Sequence, residues 1–450
     1  MNTILKNFVW VALFAFVSVA MFSCSAEDDF TSETGSAKTR TSITVSGVIT
    51  GTNNWSGTVY LDGKVFVVNG TLNIAAGTEI IGKAKSTAEA ASALIVTRTG
   101  TINAIGSASS PIVFKGESET VGSWGGLVLL GDGIINQKAR KTIEGITTAQ
   151  AAGNDITYGI PYDSLAVGST AYNNALNDNS GALSYVRVEY AGAAISDANE
   201  LNAFTFGGVG AGTTLDHLQA YYGKDDAFEF FGGNVNAKYL FSTATADDAF
   251  DFDFGYTGNL QFLVSVIDPS SSQTYTTDPN GIESDNDGNS SAYLPITHPV
   301  ISNITIAGTS TGSVASGESS NSLLAAARFR RNSSFTLVNA IFYGYPTGVW
   351  NNSANASFTL GTNVGTAFNS GQTYRSFGTI ATTNVSVAAP GNLVLSNPFG
   401  GYKSGALMAT SGDAYDAVPT NLGGFFNNTD YIGGTLDASG NNWLDTTWVR

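Results

Sequence analysis

Asp225-Asp226-Ala227-Phe228-Glu229-Phe230 recurs 22 residues later as Asp247-Asp248-Ala249-Phe250-Asp251-Phe252. The same spacing carries Leu218 to Leu240 to Phe262, and Ala220 to Ser242 to Val264. Tyr185-Val186-Arg187-Val188 joins the frame 32 residues before His217-Leu218-Gln219-Ala220, as though a ten-residue loop interrupted one turn. From Ile43 onward no 3.6-residue period is sustained. Short β-rich runs stand instead between Gly, Asn and Thr: Val65-Phe66-Val67-Val68, Leu94-Ile95-Val96, Pro111-Ile112-Val113-Phe114 and Leu127-Val128-Leu129-Leu130. A period near 22 built of strands and turns is one coil of a parallel β-helix. A propeller blade needs about 40 residues, and leucine-rich repeats carry a Leu/Asn signature that this chain lacks. The expected fold is therefore all-β: a right-handed, single-stranded parallel β-helix.

In such a coil each residue sits about 4.8 Å above its equivalent one rung below, and side chains alternate in and out. Phe228, Phe230, Phe250 and Phe252 then share a face and form a core ladder. On the neighbouring strand Leu218, Ala220, Leu240 and Ser242 point inward, which turns His217, Gln219, Tyr221, Tyr239 and Phe241 outward. Tyr185, His217 and Tyr239 are expected to form an exposed column able to stack on pyranose rings. Tyr185, His217, Tyr221, Tyr239 and Phe241 are accordingly the candidate ligand-binding residues, although exposed single aromatics are common without any such role. No second domain of different texture interrupts residues 42–450. Insertions are expected near 141–180, 268–294 and 308–321, where long polar loops on a rigid scaffold often carry function.

The N-terminus reads as an address. Lys6 precedes an apolar run from Phe8 to Phe22, too short and too early for a membrane span, so residues 1–23 are expected to be a signal peptide. The run ends at Ser23-Cys24, and Cys24 is the only cysteine in the chain. Thioether lipidation of Cys24 is the expectation, with an ordinary secretory signal as the alternative. Met21 and Phe22 stand where bacterial lipoproteins usually have Leu and a small residue. Ser25-Ala26-Glu27-Asp28-Asp29 resembles the acidic signal that sends lipoproteins of Bacteroidota to the outer face of the outer membrane. Residues 24–41, polar and unpatterned, suit a flexible acidic tether.

Several stretches together resemble a family of exported Bacteroidota lipoproteins. They are Tyr185-Val186-Arg187-Val188-Glu189-Tyr190-Ala191-Gly192, Phe206-Gly207-Gly208-Val209-Gly210, the two Asp-Asp-Ala-Phe repeats, Gly281-Ile282-Glu283-Ser284-Asp285-Asn286-Asp287, Trp124-Gly125-Gly126, and Asp430-Tyr431-Ile432-Gly433 with Trp443 and Trp448. Members of that family are largely uncharacterised. The resemblance implies a right-handed, pectin-lyase-like parallel β-helix at the cell surface, and no assigned activity.

Chemistry enters through the carboxylates. Basic residues number 20 against 36 acidic, for a net charge of −16, so a phosphate-tracking groove is not expected and nucleic acid is set aside as a partner. One cysteine and two histidines, His217 and His298, argue against a Cys- or His-built metal site and against a Ser-His-Asp triad. Asp225, Asp226, Asp247 and Asp248 fall at equivalent positions of successive coils, with Glu229, Asp251 and Asp253 close by. Two carboxylates about 5 Å apart repel by about 1 kcal/mol in water and by several near a protein surface. A stacked acidic ladder needs protons, bases or a cation, and Lys224 and Lys238 are too few. Calcium, which takes six to eight hard oxygen ligands, is the expected cofactor, held by Asp225, Asp226, Asp247, Asp248, Glu283, Asp285 and Asp287. Capping of turns by aspartate is the competing account.

Three functions remain open from the sequence. No catalytic residue is assigned, because Gly223-Lys224-Asp225-Asp226 lacks the other motifs of a galacturonan hydrolase. Arg328, Arg330 and Arg331 are expected about four rungs, roughly 20 Å, from the carboxylates, too far for a lyase base. The favoured reading is a non-enzymatic, surface-anchored outer-membrane lipoprotein that binds a polysaccharide or other ligand, with an outer-membrane uptake complex as its expected partner. A calcium-dependent polysaccharide lyase or glycoside hydrolase is the first alternative. An adhesin or structural surface protein using loops 141–180 and 268–294 is the second.

Overall fold

The computed structural model describes residues 42–196, 199–268, 273–276, 279–310, 323–351, 353, 402–403 and 422–450, with short strands at 358–360, 364–366, 373–376, 393–395 and 409–412. The expected signal peptide, Cys24, the tether, residues 269–272 and 277–278 of the second loop, and most of 308–321 lie outside the described residues.

Strands pair in parallel, rung on rung, in three ladders. Ladder B holds Ala93–Val96, Leu127–Leu130, Phe204–Gly207, Phe228–Phe231, Phe250–Asp253, Ile282–Ser284, Ala325–Phe329 and Thr347–Asn351. The other two ladders share longer strands: Gly181–Glu189, Thr214–Tyr221, Asn236–Thr243, Asn259–Val266, Val300–Ala307 and Phe335–Tyr343. Each bends once in the middle. The first halves stack as ladder C and the second halves as ladder A.

The bend has one conformational solution, repeated. Tyr185, His217, Tyr239, Phe262, Asn303 and Asn339 occupy equivalent places and all adopt left-handed backbone, with φ between 51° and 64°. That geometry costs a non-glycine residue roughly 1–2 kcal/mol, and asparagine tolerates it best. The aromatic members offset the cost by stacking on one another.

The core is as the alternation predicts. Phe228, Phe230, Phe250 and Phe252 are fully buried. Phe204–Phe228–Phe250 stack at 5.0 and 5.6 Å, and Phe206–Phe230–Phe252 at 4.9 and 5.4 Å. Leu218 pairs with Leu240 and Ala220 with Ser242, at the expected spacing. One coil later the register slips by a residue: Leu240 pairs with Leu263, not Phe262, and Ser242 with Ser265, not Val264. The extra residue puts Phe262 at the bend. The ten-residue interruption after Gly181–Glu189 is a small hairpin, Ala194–Ser196 with Asn199–Glu200.

Residues 141–180 leave the coil and pack beside ladder B. Their antiparallel pair, Lys141–Thr142 with Thr157–Tyr158, buries Ile143, Ile156 and Tyr158, and Tyr158 lies 5.9 Å from the ring of Phe231. Thr170–Leu176 is the one α-helix among the described residues, capped by the Ser169 side chain.

Residues 422–450 form a strap across the bend between ladders C and A. Trp443 and Trp448 set their edges against Tyr185, His217 and Tyr239 at 5.5–6.4 Å. At the strap's end Arg450 pairs with Glu119 and Glu189 and lies over the rings of Tyr190 and Tyr221.

Candidate metal centre

Two residue columns on and beside ladder B bring the acids together. Asn202, Asp226, Asp248 and Asn280 precede successive strands, and the backbone N–H of Ala203, Ala227 and Ala249 donates to the carbonyl of Asp226, Asp248 and Asn280 in turn. Thr205, Glu229, Asp251, Glu283 and Arg328 are register partners on the outward side of the ladder. Rung spacing therefore fixes one acid about 4.8 Å above the next.

Two groups of carboxylates converge. Oxygens of Asp225, Asp226 and Asp247 lie within 4.8 Å of one another, and so do oxygens of Asp226, Glu229 and Asp251, with Asp226 common to both. Asp226 and Glu229 are buried. Glu144, brought in by the 141–158 insertion, hydrogen-bonds to Glu229, while Glu200 of the hairpin adds further charge. Burial first, and neighbouring carboxylates second, raise Asp225, Asp226 and Glu229 well above the usual carboxylate range. Burial and the charge of Asp285 push Asp251 up to about 8, and burial pushes Glu144 up to about 7.

The seven residues expected to build one or more calcium sites fall into different settings. Asp225, Asp226 and Asp247 do converge. Asp226 and Asp248 also cap: their carboxylates accept the N–H groups of Asp248 and Asn280, at 2.9 and 2.6 Å. The capping account is therefore realised at two positions, and Asp226 performs both tasks. Glu283 and Asp285 face arginines. Arg330 pairs with both, Arg328 with Glu283 at 3.4 Å, and Arg331 with Asp285 at 2.6 Å. Asp287 turns its own loop, accepting from the N–H groups of Asn289 and Ser291.

The arginines correct a second expectation. Arg328 lies one rung from Glu283, two from Asp251 and three from Glu229 on the coil of Asp225 and Asp226, about 14 Å, where four rungs were expected. The loops after Ser284 and Ala307 consume sequence without adding coils.

One residue that sequence reasoning passed over completes the site. Asn202 is 1 % exposed; its amide nitrogen donates to Glu229, and its Oδ1 has no hydrogen-bond partner. A buried carbonyl oxygen left unpaired, on a side chain that bonds Glu229 through its amide nitrogen, is an uncommon and costly arrangement. It also provides one more hard oxygen of the type calcium takes. The donor set Asn202, Asp226, Glu229 and Asp251 fits a hard divalent cation.

The aromatic column has a different character. Tyr185, His217, Tyr239 and Phe262 stack face to face at 4.3, 4.2 and 4.8 Å. Their faces are thus taken by one another, and Trp443 and Trp448 cover their outer edges. Phe241 is fully buried beneath Tyr402 and Trp443. Tyr221 lies under Arg450. The column exists in the predicted register, but it is not the open face expected, because the strap had no signature in the repeat.

The sequence model of the pectate-lyase like beta helix domain matches residues 47–389. The chain belongs to that family. Neither a curated protein nor a solved structure matches it. Membership agrees with the ladders described above and places the outward carboxylates of ladder B on a family scaffold. It assigns no ligand.

Proposed function

We propose that this protein is a lipid-anchored lipoprotein of the outer-membrane surface that binds a polysaccharide at ladder B through bound calcium, without cleaving it. The observation that carries the reading is the convergence of Asp226, Glu229 and Asp251, with the buried, unpaired Oδ1 of Asn202 on a side chain whose amide nitrogen bonds Glu229. Asn202, Asp226, Glu229 and Asp251 would hold one ion, and Asp225 and Asp247 would extend the site. Calcium there would neutralise the carboxylates and offer open positions to sugar oxygens. The anchor rests on Cys24 and the acidic run behind it. An uptake complex in the same membrane is the partner this placement suits.

A glycan array probed in calcium and then in chelator tests the reading. Retention that disappears in chelator and in Asp226→Asn supports it, whereas calcium-independent retention, or none, contradicts it. For the anchor, Cys24→Ser is expected to move the chain from the membrane fraction to the soluble one.

One observation favours a lyase as the second reading. Arg330 and Arg331 stand beside Asp285, on the same face as Asp251, so basic groups are within reach of a substrate held by the acids. Both guanidinium groups are engaged in ion pairs, which weighs against a free base. Unsaturated uronide absorbance produced from acidic polysaccharide would decide for this reading.

A further inference from the structure

The loops at 141–180 and 268–294 meet on one edge of the β-helix. The Lys138 ammonium pairs with Asp163 of the first loop and lies over the ring of Tyr293 of the second, 4.1 Å from its centroid. Tyr293 and Leu294 are 43 % and 49 % exposed, although hydrophobic residues of that size are mostly buried in the described part of the chain.

This loop is held firmly. Asn286 Nδ2 donates to the carbonyls of Ser291 and Tyr293 at 2.9 and 3.3 Å, and the Tyr293 N–H donates to Ser291 Oγ at 3.2 Å. Asn136 Nδ2 reaches across to the Asn286 carbonyl at 2.8 Å, and Asn332 Nδ2 to the Ser291 carbonyl at 2.7 Å. The Asp285-Asn286-Asp287-Gly288 motif, whose texture suggested a calcium loop, thus fixes a turn that presents an aromatic ring to solvent. The loop leaves ladder B directly after Ile282–Ser284, whose Glu283 is the register partner of Asp251, so the ring sits on an excursion that starts from the acidic column. An aromatic and a leucine side by side, fixed in water on a braced loop, gain little from the fold itself.

We propose that Tyr293 is a sugar-stacking platform: one pyranose ring of the bound polysaccharide lies on the tyrosine face turned away from Lys138. The inference rests on the glycan-binding reading above and names where a ring is gripped. The axial C–H groups of a pyranose carry slight positive charge and suit an aromatic face, while its hydroxyls need donors and acceptors at the rim. Lys138 and Asp163, with side chains 57 % and 60 % exposed, supply both. Leu294 extends the apolar floor toward a neighbouring sugar.

The test places 3-fluorotyrosine at position 293 of the full chain and follows its ¹⁹F resonance. Hexasaccharides of galacturonan, xylan, glucan and mannan are added in calcium buffer. At least one is expected to shift the resonance, to bind about tenfold more weakly to Tyr293→Ala, and to bind normally to Tyr293→Trp. A hexasaccharide that binds the unsubstituted protein and Tyr293→Ala equally overturns the platform and leaves glycan binding standing. Silence of the whole panel toward the unsubstituted protein overturns both. A resonance that moves with protein concentration alone marks a contact between two copies and overturns the sugar as occupant.

Discussion

The bend between ladders C and A and the outward side of ladder B obey the same stacking rule with opposite consequences. At the bend, rings stand on rings about 4.2–4.8 Å apart, and each copy satisfies the next. On ladder B, carboxylate stands on carboxylate at a similar rise, and each copy repels the next. A solenoid cannot avoid placing like on like. Where like attracts like, the ladder is self-sufficient and the strap seals it. Where like repels like, something else must enter: Arg328, Arg330 and Arg331 at Glu283 and Asp285, and protons or, as proposed, a cation at Asp226, Glu229 and Asp251.

The largest expected effect breaks the sealed side. Trp448 is fully buried against Tyr185, His217 and Trp443. Trp448→Ala should cost about 3–5 kcal/mol in urea denaturation, with no change in calcium affinity. On the acidic side Arg330→Met should cost a similar or slightly smaller amount, about 3 kcal/mol, because it leaves Glu283 and Asp285 underpaired in the interior.

Glu229→Gln sharpens the contrast, because its effect should change sign with calcium. Without the ion it removes a carboxyl that burial and its neighbours force to take up a proton on folding, and should stabilise by about 1 kcal/mol. With the ion in hundredfold excess over its dissociation constant, the unsubstituted protein gains about 2.7 kcal/mol that Glu229→Gln should lose. Acidity gives a further handle. Folding raises these carboxyls above their unfolded values, so the neutral form is favoured in the native state. Stability of the calcium-free protein should be greatest at or below about pH 4 with respect to these groups. It should fall as pH rises toward the value of about 8 at which Asp251 ionises. Thermal melts in chelator across that interval check the slope, which calcium should flatten.

How much of this was legible is best judged residue by residue. The 22-residue echo from Asp225 to Asp247 was enough to specify the coil, the phenylalanine core and the stacked acids. Periodicity fails wherever the chain leaves the coil. One inserted residue moved Phe262 from the core register to the bend. Long excursions after Ser284 and Ala307 made Arg328 look remote when it is the next rung. Glu144 reaches Glu229 from an insertion, which no local pattern announces. Asn202 was within reach of the sequence, since it precedes Phe204 as Asp226 precedes Phe228 and Asp248 precedes Phe250. The strap carried only a compositional hint, two tryptophans beyond the last repeat.

The smallest expected effect concerns the rings themselves. Tyr185→Leu and Tyr239→Leu should leave glycan retention unchanged while lowering stability by about 1 kcal/mol each, the worth of a lost aromatic contact. Loss of retention in either variant would return the column to the ligand site.

Calorimetric titration of the chelator-stripped protein with calcium at pH 7.5 tests the central claim most directly, run beside Asp226→Asn, Glu229→Gln and Asp251→Asn. The account predicts saturable uptake by the unsubstituted protein, weakened at least tenfold in each variant. Uptake that is absent, or that survives all three substitutions unchanged, would contradict it.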